Sequence, residues 1–254
     1  MLASSGDGSW RLIPLMEATG AEHMAIDSWL LDQHAKGLQP PSLRFYTWRS
    51  PTISLGYHQH QFPDHWKNLR YKGQPIDLVR RPTGGRAVLH QGELTYALIT
   101  SGLKGSRRET YQQLCQFLIE GWRELGVELS FGTAKRGYIK NPNCFGTATS
   151  ADLIMNDGYK LVGSAQVYRK GCVLQHGSMR LQPDVKLFHQ VFNENICQPG
   201  TPSQLLEKAG PTRITQILAR SASKCFNTKF EERSFSPNER KLSLKVASHN
   251  LICI

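Results

Sequence analysis

The chain has 254 residues, 39% of them hydrophobic and 9% aromatic, which is enough to bury a real core in one large domain. No stretch reaches the roughly 18 consecutive apolar residues of a membrane span, and the opening MLASSGDGSWRLIPLMEATG lacks the basic-then-apolar order of a secretory signal, so a cytoplasmic protein without a membrane partner is expected. The 31 Lys+Arg against 20 Asp+Glu give a net charge of +11, a field that attracts acidic partners, nucleic acid and acidic carrier proteins alike.

Thr19-Gly20-Ala21-Glu22 is a capping box, and the following AEHMAIDSWLLDQHAKG is apolar at Ala21, Met24, Ala25, Trp29 and Leu30 or Leu31. This predicts an amphipathic helix that stops near Gly37, before Pro40-Pro41. Leu43, Phe45 and Thr47 alternate, and Ile53 and Leu55 follow a break at Pro51, so two strands are expected. The segment IDLVRRPTGGRAVLHQGELTYALIT reads as strand, glycine turn, strand, turn, strand.

Ser106-x-x-Glu109 is a second capping box. Tyr111, Leu114, Cys115, Leu118, Trp122 and Leu125 then recur at three- and four-residue steps, the clearest helix pattern of the chain, with Gly126 placed to end it. Cys115 belongs to that apolar stripe and is read as core. Turns at Asn156-Asp157-Gly158 and Arg169-Lys170-Gly171 divide ADLIMNDGYKLVGSAQVYRKGCVLQHGSMRL into a three-strand meander. Beyond Pro183, TPSQLLEKA and GPTRITQILARSASKCF read as short helices, and the end is basic and weakly patterned. The expected architecture is one α/β (α+β) domain over residues 1–254, with a mixed, mainly antiparallel sheet packed with helices. Its core spans about 20–185 and a helical and basic extension covers 186–254.

Six cysteines stand at 115, 144, 172, 197, 225 and 253 without a C-x-x-C pair, so free thiols are expected rather than a zinc knuckle or a dithiol redox motif. Cys144 is the odd one: PNCFGTATS sets it among turn and small polar residues, with no apolar stripe around it. Lys160 opens the strand KLVGSAQ, whose small Gly163, Ser164 and Ala165 leave room for a ligand to lie against it. An ammonium returned to a loop thiol lowers its pKa and makes a nucleophile. In RRPTGGRAVLHQ, Gly84 and Gly85 permit close backbone approach, and Arg81 and Arg86 can hold anions. Neither the P-loop nor the dinucleotide fingerprint is present. His90 and His176 are both open as a general base, and His58 and His60 find no third metal ligand in the sequence.

Taken in order, RRPTGGRAVLHQGELTY, NCFGTATSADLIMNDGYKLVGSAQ and KGCVLQHGSM resemble the biotin/lipoate protein ligase catalytic domain, and within it the octanoyltransferase branch of the bacterial LipM type. AEHMAIDSWLL and SLGYHQ fit the N-terminal half of the same family. The resemblance implies an acyl chain lying near the Gly-Gly turn, contacted by Arg81, Thr83, Gly84, Gly85, Arg86, Ala87, His90, Gly163, Ser164, Ala165 and His176. It implies catalysis by Cys144, as an acyl-thioester, with Lys160 lowering its pKa and with no metal or other cofactor. The implied donor is octanoyl-acyl carrier protein, and the implied acceptor is a lipoyl domain or a glycine cleavage H-type protein; nucleic acid is not an expected partner. ATP-dependent ligases of the family read GGGAV and lack the loop cysteine, whereas this chain has GGRAV and Cys144. Two departures stand out: Gln91 follows His90 where the family often has Asp, and the Cys144-to-Lys160 loop is about one residue longer. An ATP-dependent lipoate-protein ligase and a non-catalytic binding module of this fold are the alternatives.

Overall fold

The structure, a computed structural model, describes residues 9–132, 152–196 and 198–245. The chain starts with β1 (Trp10–Ala18), α1 (Gly20–Ala35), β2 (Ser42–Trp48) and β3 (Thr52–Leu55). A two-strand ribbon, β4 (Arg70–Tyr71) with β5 (Gln74–Pro75), leads to β6 (Asp77–Arg80), β7 (Val88–His90) and β8 (Glu93–Ser101). Then come α2 (Arg107–Glu124), β9 (Leu129–Phe131), β10 (Asp152–Met155), β11 (Lys160–Arg169) and β12 (Cys172–Arg180). The chain closes with α3 (Val185–Phe192), α4 (Gly200–Phe226), β13 (Phe230–Glu232) and α5 (Pro237–Leu244).

Eight strands form the main sheet in the order β13-β1-β2-β8-β12-β11-β10-β9. The pairs of β1 with β13 and β2 are parallel, and every other pair is antiparallel, as the sequence predicts. The second sheet, β6-β3-β7, departs from the reading of a simple glycine hairpin: β3 lies between the two strands that flank the Gly-Gly turn. That turn must therefore cross over the end of β3.

Alternation along β8 sends successive side chains to opposite faces. Leu94, Tyr96 and Leu98 meet Leu114, Phe117, Leu118 and Trp122 of α2, with Ile214 and Leu218 of α4 behind them. Ala97 and Ile99 meet Ile26, Leu30 and Leu31 of α1 on the other face. Both predicted capping boxes are formed: Thr19 with Glu22 and Ser106 with Glu109 each satisfy two backbone N–H groups that a helix start leaves open. The small sheet has its own core, in which Ile53, Leu55, Leu78 and Leu89 pack with Trp66 and the α3 side chains Leu187, Phe188 and Val191. Because α1 also touches β6, it sits in the angle between the two sheets.

Described residues beyond 185 take part in the same core and sheet. Phe226 closes the α2 layer, and β13 extends the main sheet. The two helices read from TPSQLLEKA and GPTRITQILARSASKCF are present as α4, which breaks at Gly210 (φ 68°) just before Pro211. No helix among the described residues is long and apolar enough to cross a membrane.

Candidate active site

A cavity of about 70 Å³ lies between the main sheet and the small one. One wall is the bare stretch of β11, where Gly163, Ser164 and Ala165 pair with Ser178, Gly177 and His176 of β12. Met24, Tyr46, Trp48 and Val88 make an apolar side. Ser54, Arg81, Gly85 and His90 come from the small sheet and its turn.

The turn is held tightly from within. Arg81 is buried, and its guanidinium donates to the carbonyls of Ser54 (2.9 Å), Gly84 (2.8 Å) and Arg86 (2.7 Å) and to Ser54 Oγ (3.2 Å). Its donors thus shape the loop. Gly85 takes φ +97°, and a Cβ on Gly56 would overlap its carbonyl oxygen, so two backbones touch here as only glycine allows. Ala87 packs into the core of the small sheet beside the cavity.

Both candidate histidines are buried in hydrogen-bond chains of one design, carboxylate to Nδ1 and hydroxyl to Nε2. His176 Nδ1 lies 2.9 Å from Asp27 Oδ2, and its Nε2 lies 2.6 Å from Thr83 Oγ1. Asp27 is ion-paired with Arg44 at 2.9 Å and accepts the Tyr46 hydroxyl at 3.1 Å. A carboxylate only accepts, so Nδ1 donates to Asp27, and Thr83 holds the ring's other nitrogen. On the other side, His90 Nδ1 lies 2.5 Å from Glu93 Oε1 and its Nε2 2.7 Å from Ser54 Oγ. Glu93 also accepts from Thr95 (2.8 Å) and from Ser178. The acid that Gln91 fails to supply next to His90 thus arrives three residues later, as Glu93. Burial pushes the His90 imidazole below the usual histidine range, against the pull of Glu93, and the ring stacks on Trp48 at 3.7 Å. His23 accepts from Arg44 at 2.7 Å, and burial followed by that guanidinium holds it well below the usual range.

Lys160 is buried at the start of β11, with its ammonium 2.9 Å from Asp152 Oδ1. Asp152 stands opposite Gly163 in the β10–β11 register, so the pair adjoins the bare wall of the cavity. Ser164 and Tyr96 share a hydrogen bond of 2.8 Å behind that wall. Cys144 lies outside the described residues.

The family model of the lipoyl protein ligase A/B catalytic domain matches residues 19–225. The chain belongs to that family. The octanoyltransferase LipM of Carboxydothermus hydrogenoformans is 40% identical to it over 92% of this chain and 93% of its own length. That of Halalkalibacterium halodurans is 39% identical over 73% and 70%. Among solved structures, a lipoate-protein ligase A bound with ATP superposes with TM-score 0.74 at 21% identity, over 95% of both chains. A bi-partite lipoate protein ligase from Thermoplasma acidophilum, described together with its E2 lipoyl domain, gives TM-score 0.66 at 20% identity, over 94% of this chain and 92% of the other. These two likenesses bear on the fold, the biotin/lipoate ligase type that the three sequence segments resemble.

Of the residues the sequence singles out, Arg81, Gly85, His90, Gly163, Ser164, Ala165 and His176 line one cavity of this lipoyl-ligase-type domain. Thr83, Gly84 and Arg86 reach it through the turn, by way of His176 and Arg81. Sequence reasoning missed Asp27, Ser54, Glu93 and Asp152, each of which binds one of those residues from another element. Asp27 carried a usable signal, a carboxylate inside the apolar run AIDSWLL.

Proposed function

We propose that this enzyme moves an octanoyl group from octanoyl-acyl carrier protein to a lysine of a lipoyl domain or glycine cleavage H-type protein, in the cytoplasm, through a thioester on Cys144. The observation that carries the reading is a loop cysteine ahead of Lys160-Leu-Val-Gly-Ser-Ala in a chain whose curated relatives are named octanoyltransferases. Support also comes from the cavity, whose apolar side of Met24, Tyr46, Trp48 and Val88 suits a fatty chain.

No ATP is needed. An acyl thioester on the carrier exchanges onto the Cys144 thiolate: the new S–C bond forms, the carrier thiolate leaves, and the energy hardly changes. A neutral lysine amine of the acceptor then attacks that thioester, the Cys144 thiolate leaves, and the amide formed is the more stable product. Orientation of the reacting groups supplies about 7–11 kcal/mol of barrier lowering, and one well-aimed oxyanion donor about 3–4 kcal/mol. The Lys160 ammonium and the backbone N–H groups around Gly163 are the proposed donors. His90 and His176 each have both ring nitrogens engaged, so a proton leaving the acceptor amine passes through Ser54 or Thr83 before either ring receives it.

The test is octanoylation of an apo lipoyl domain by purified enzyme with octanoyl-acyl carrier protein. The reading requires product without Mg-ATP and none from Cys144→Ser. Product that depends on Mg-ATP and survives Cys144→Ala assigns an adenylating ligase instead.

A further inference from the structure

We propose that Asp152 is a positioning residue for Lys160: its carboxylate holds the Lys160 side-chain nitrogen in place beside the Gly163 wall of the cavity. The proposal rests on the octanoyltransferase reading, in which that ammonium steadies negative charge at the reacting centre.

Several independent contacts hold this pair. The Lys160–Asp152 contact is 2.9 Å long, with the side chains 4% and 6% exposed. The Asp152 carbonyl accepts the Gly132 N–H at 2.9 Å, which ties the end of β9 to the start of β10. The Lys160 carbonyl accepts from Arg180 Nη2 at 3.2 Å, and Arg180 Nε donates to the Tyr159 hydroxyl at 2.8 Å. Both members of the pair are therefore fixed through their own backbones before their side chains meet.

Such a pair is a poor choice for stability alone. Taking two charges out of water costs several kcal/mol per ion, and an apolar pair of the same volume serves a core at least as well. The position explains its presence. Val162 and Leu161 beside it are ordinary core, whereas Gly163, directly opposite Asp152, is the first bare residue of the cavity. Asp152 thus stands where β11 stops supplying large apolar side chains, three residues after Lys160.

Among the described residues, groups on α2, on β12 and in the turn before β11 face the pair. From α2, Tyr111 and Cys115 feel the Asp152 charge; burial pushes Tyr111 well up and Cys115 to about 12, so neither titrates in the working range. From β12 comes Arg180, and from the turn before β11 comes Tyr159.

The experiment follows acyl loading of the enzyme by intact mass, with octanoyl-acyl carrier protein and no acceptor, across pH. Four proteins are compared: wild type, Asp152→Asn, Lys160→Gln and the doubly substituted D152N/K160Q. Asp152→Asn is expected to load about 10- to 100-fold more slowly, the scale on which orienting partners of a functional group act. D152N/K160Q should load no more slowly than Lys160→Gln alone, since a residue that acts through Lys160 has nothing left to do once Lys160 is gone. That comparison between neutral isosteres decides the matter should Asp152→Asn fail to fold. Wild-type loading by Asp152→Asn at every pH, or a further loss in the double variant, overturns the positioning role while wild-type loading leaves the transferase reading standing. A wild type that acquires no octanoyl mass overturns both.

Discussion

Thr83 Oγ1 lies 2.6 Å from His176 Nε2, and this bond ties the glycine turn of the small sheet to the face of the large one. Behind it stand Asp27 and Arg44, so the clasp is braced from α1 and β2 together. Thr83→Val keeps the volume and removes the hydroxyl, leaving a buried ring nitrogen without that partner. The expected cost is about 1–3 kcal/mol in urea unfolding, with a raised KM for the acyl donor as the turn loosens. Unchanged stability and KM would show that the clasp is idle.

Two neighbouring glycines should behave in opposite ways. Gly84 has open space where a Cβ would go, whereas a Cβ on Gly56 overlaps the Gly85 carbonyl. Gly84→Ala is therefore expected to leave the thermal midpoint nearly unchanged. Gly56→Ala must displace the turn that Arg81 organises and should cost about 3 kcal/mol or more along with most activity. Equal midpoints for the two variants would contradict the packing described.

Acidification should weaken the fold through His23 and His90. Both are held below the usual histidine range, chiefly by burial, and for His23 by Arg44 as well. In the unfolded chain each takes up a proton near pH 6.5, while in the fold it resists. Below about 6.5 the unfolded chain thus binds more protons, and stability falls as pH drops, by up to about 1.4 kcal/mol per pH unit for each group. Above that pH the two contribute no slope. Urea midpoints between pH 7.5 and 5 test this, and His23→Gln should flatten part of the decline.

Cys115 should be chemically silent. Burial pushes its thiol up to about 12, and Gln175 covers the sulfur at 3.3 Å. Brief alkylation of native enzyme at about pH 8 is expected to leave Cys115 unmodified. Cys115→Ala should retain turnover while losing about 1 kcal/mol of stability through the methyl-sized void. Rapid labelling of Cys115 in folded protein would contradict its place in the core.

Much of this fold is legible because the signals are local. The boxes at Thr19 and Ser106, the turns at Gly158 and Gly171 and the period of α2 each lie within a few residues, and each forms as read. β1 escaped because Pro14 interrupts its alternation; the sheet absorbs it with a register shift between Ile13 and Met16. α5 carries a third box, Ser236 with Glu239 and Pro237 at its first turn, but its weak apolar face hid it, and what holds it is Arg11 reaching Glu239 at 2.9 Å across the chain. The site divides in the same way. Glycines and histidines stand out in short motifs, whereas Asp27 and Thr83 gain their meaning from His176, 149 and 93 residues away. Such partners are set by strand order, which no local pattern encodes.

The +11 charge of the chain should show itself in kinetics. If the donor is an acidic carrier, association is steered, and screening shortens from about 10 Å at 0.1 M salt to about 3 Å at 1 M. Octanoyl transfer is expected to slow steeply over that range, seen as a fall in kcat/KM for the carrier. A salt-independent kcat/KM would remove electrostatic steering from the account.

The central claim, that an activated acyl group rests on Cys144 between donor and acceptor, is tested most directly by mapping the adduct. Enzyme mixed with octanoyl-acyl carrier protein alone, without nucleotide, should gain the mass of one octanoyl group, and peptide mapping should place it on Cys144. Adding apo lipoyl domain should then discharge it. Wild type that stays unmodified, or an adduct that maps to another residue and is still passed on, would contradict the account.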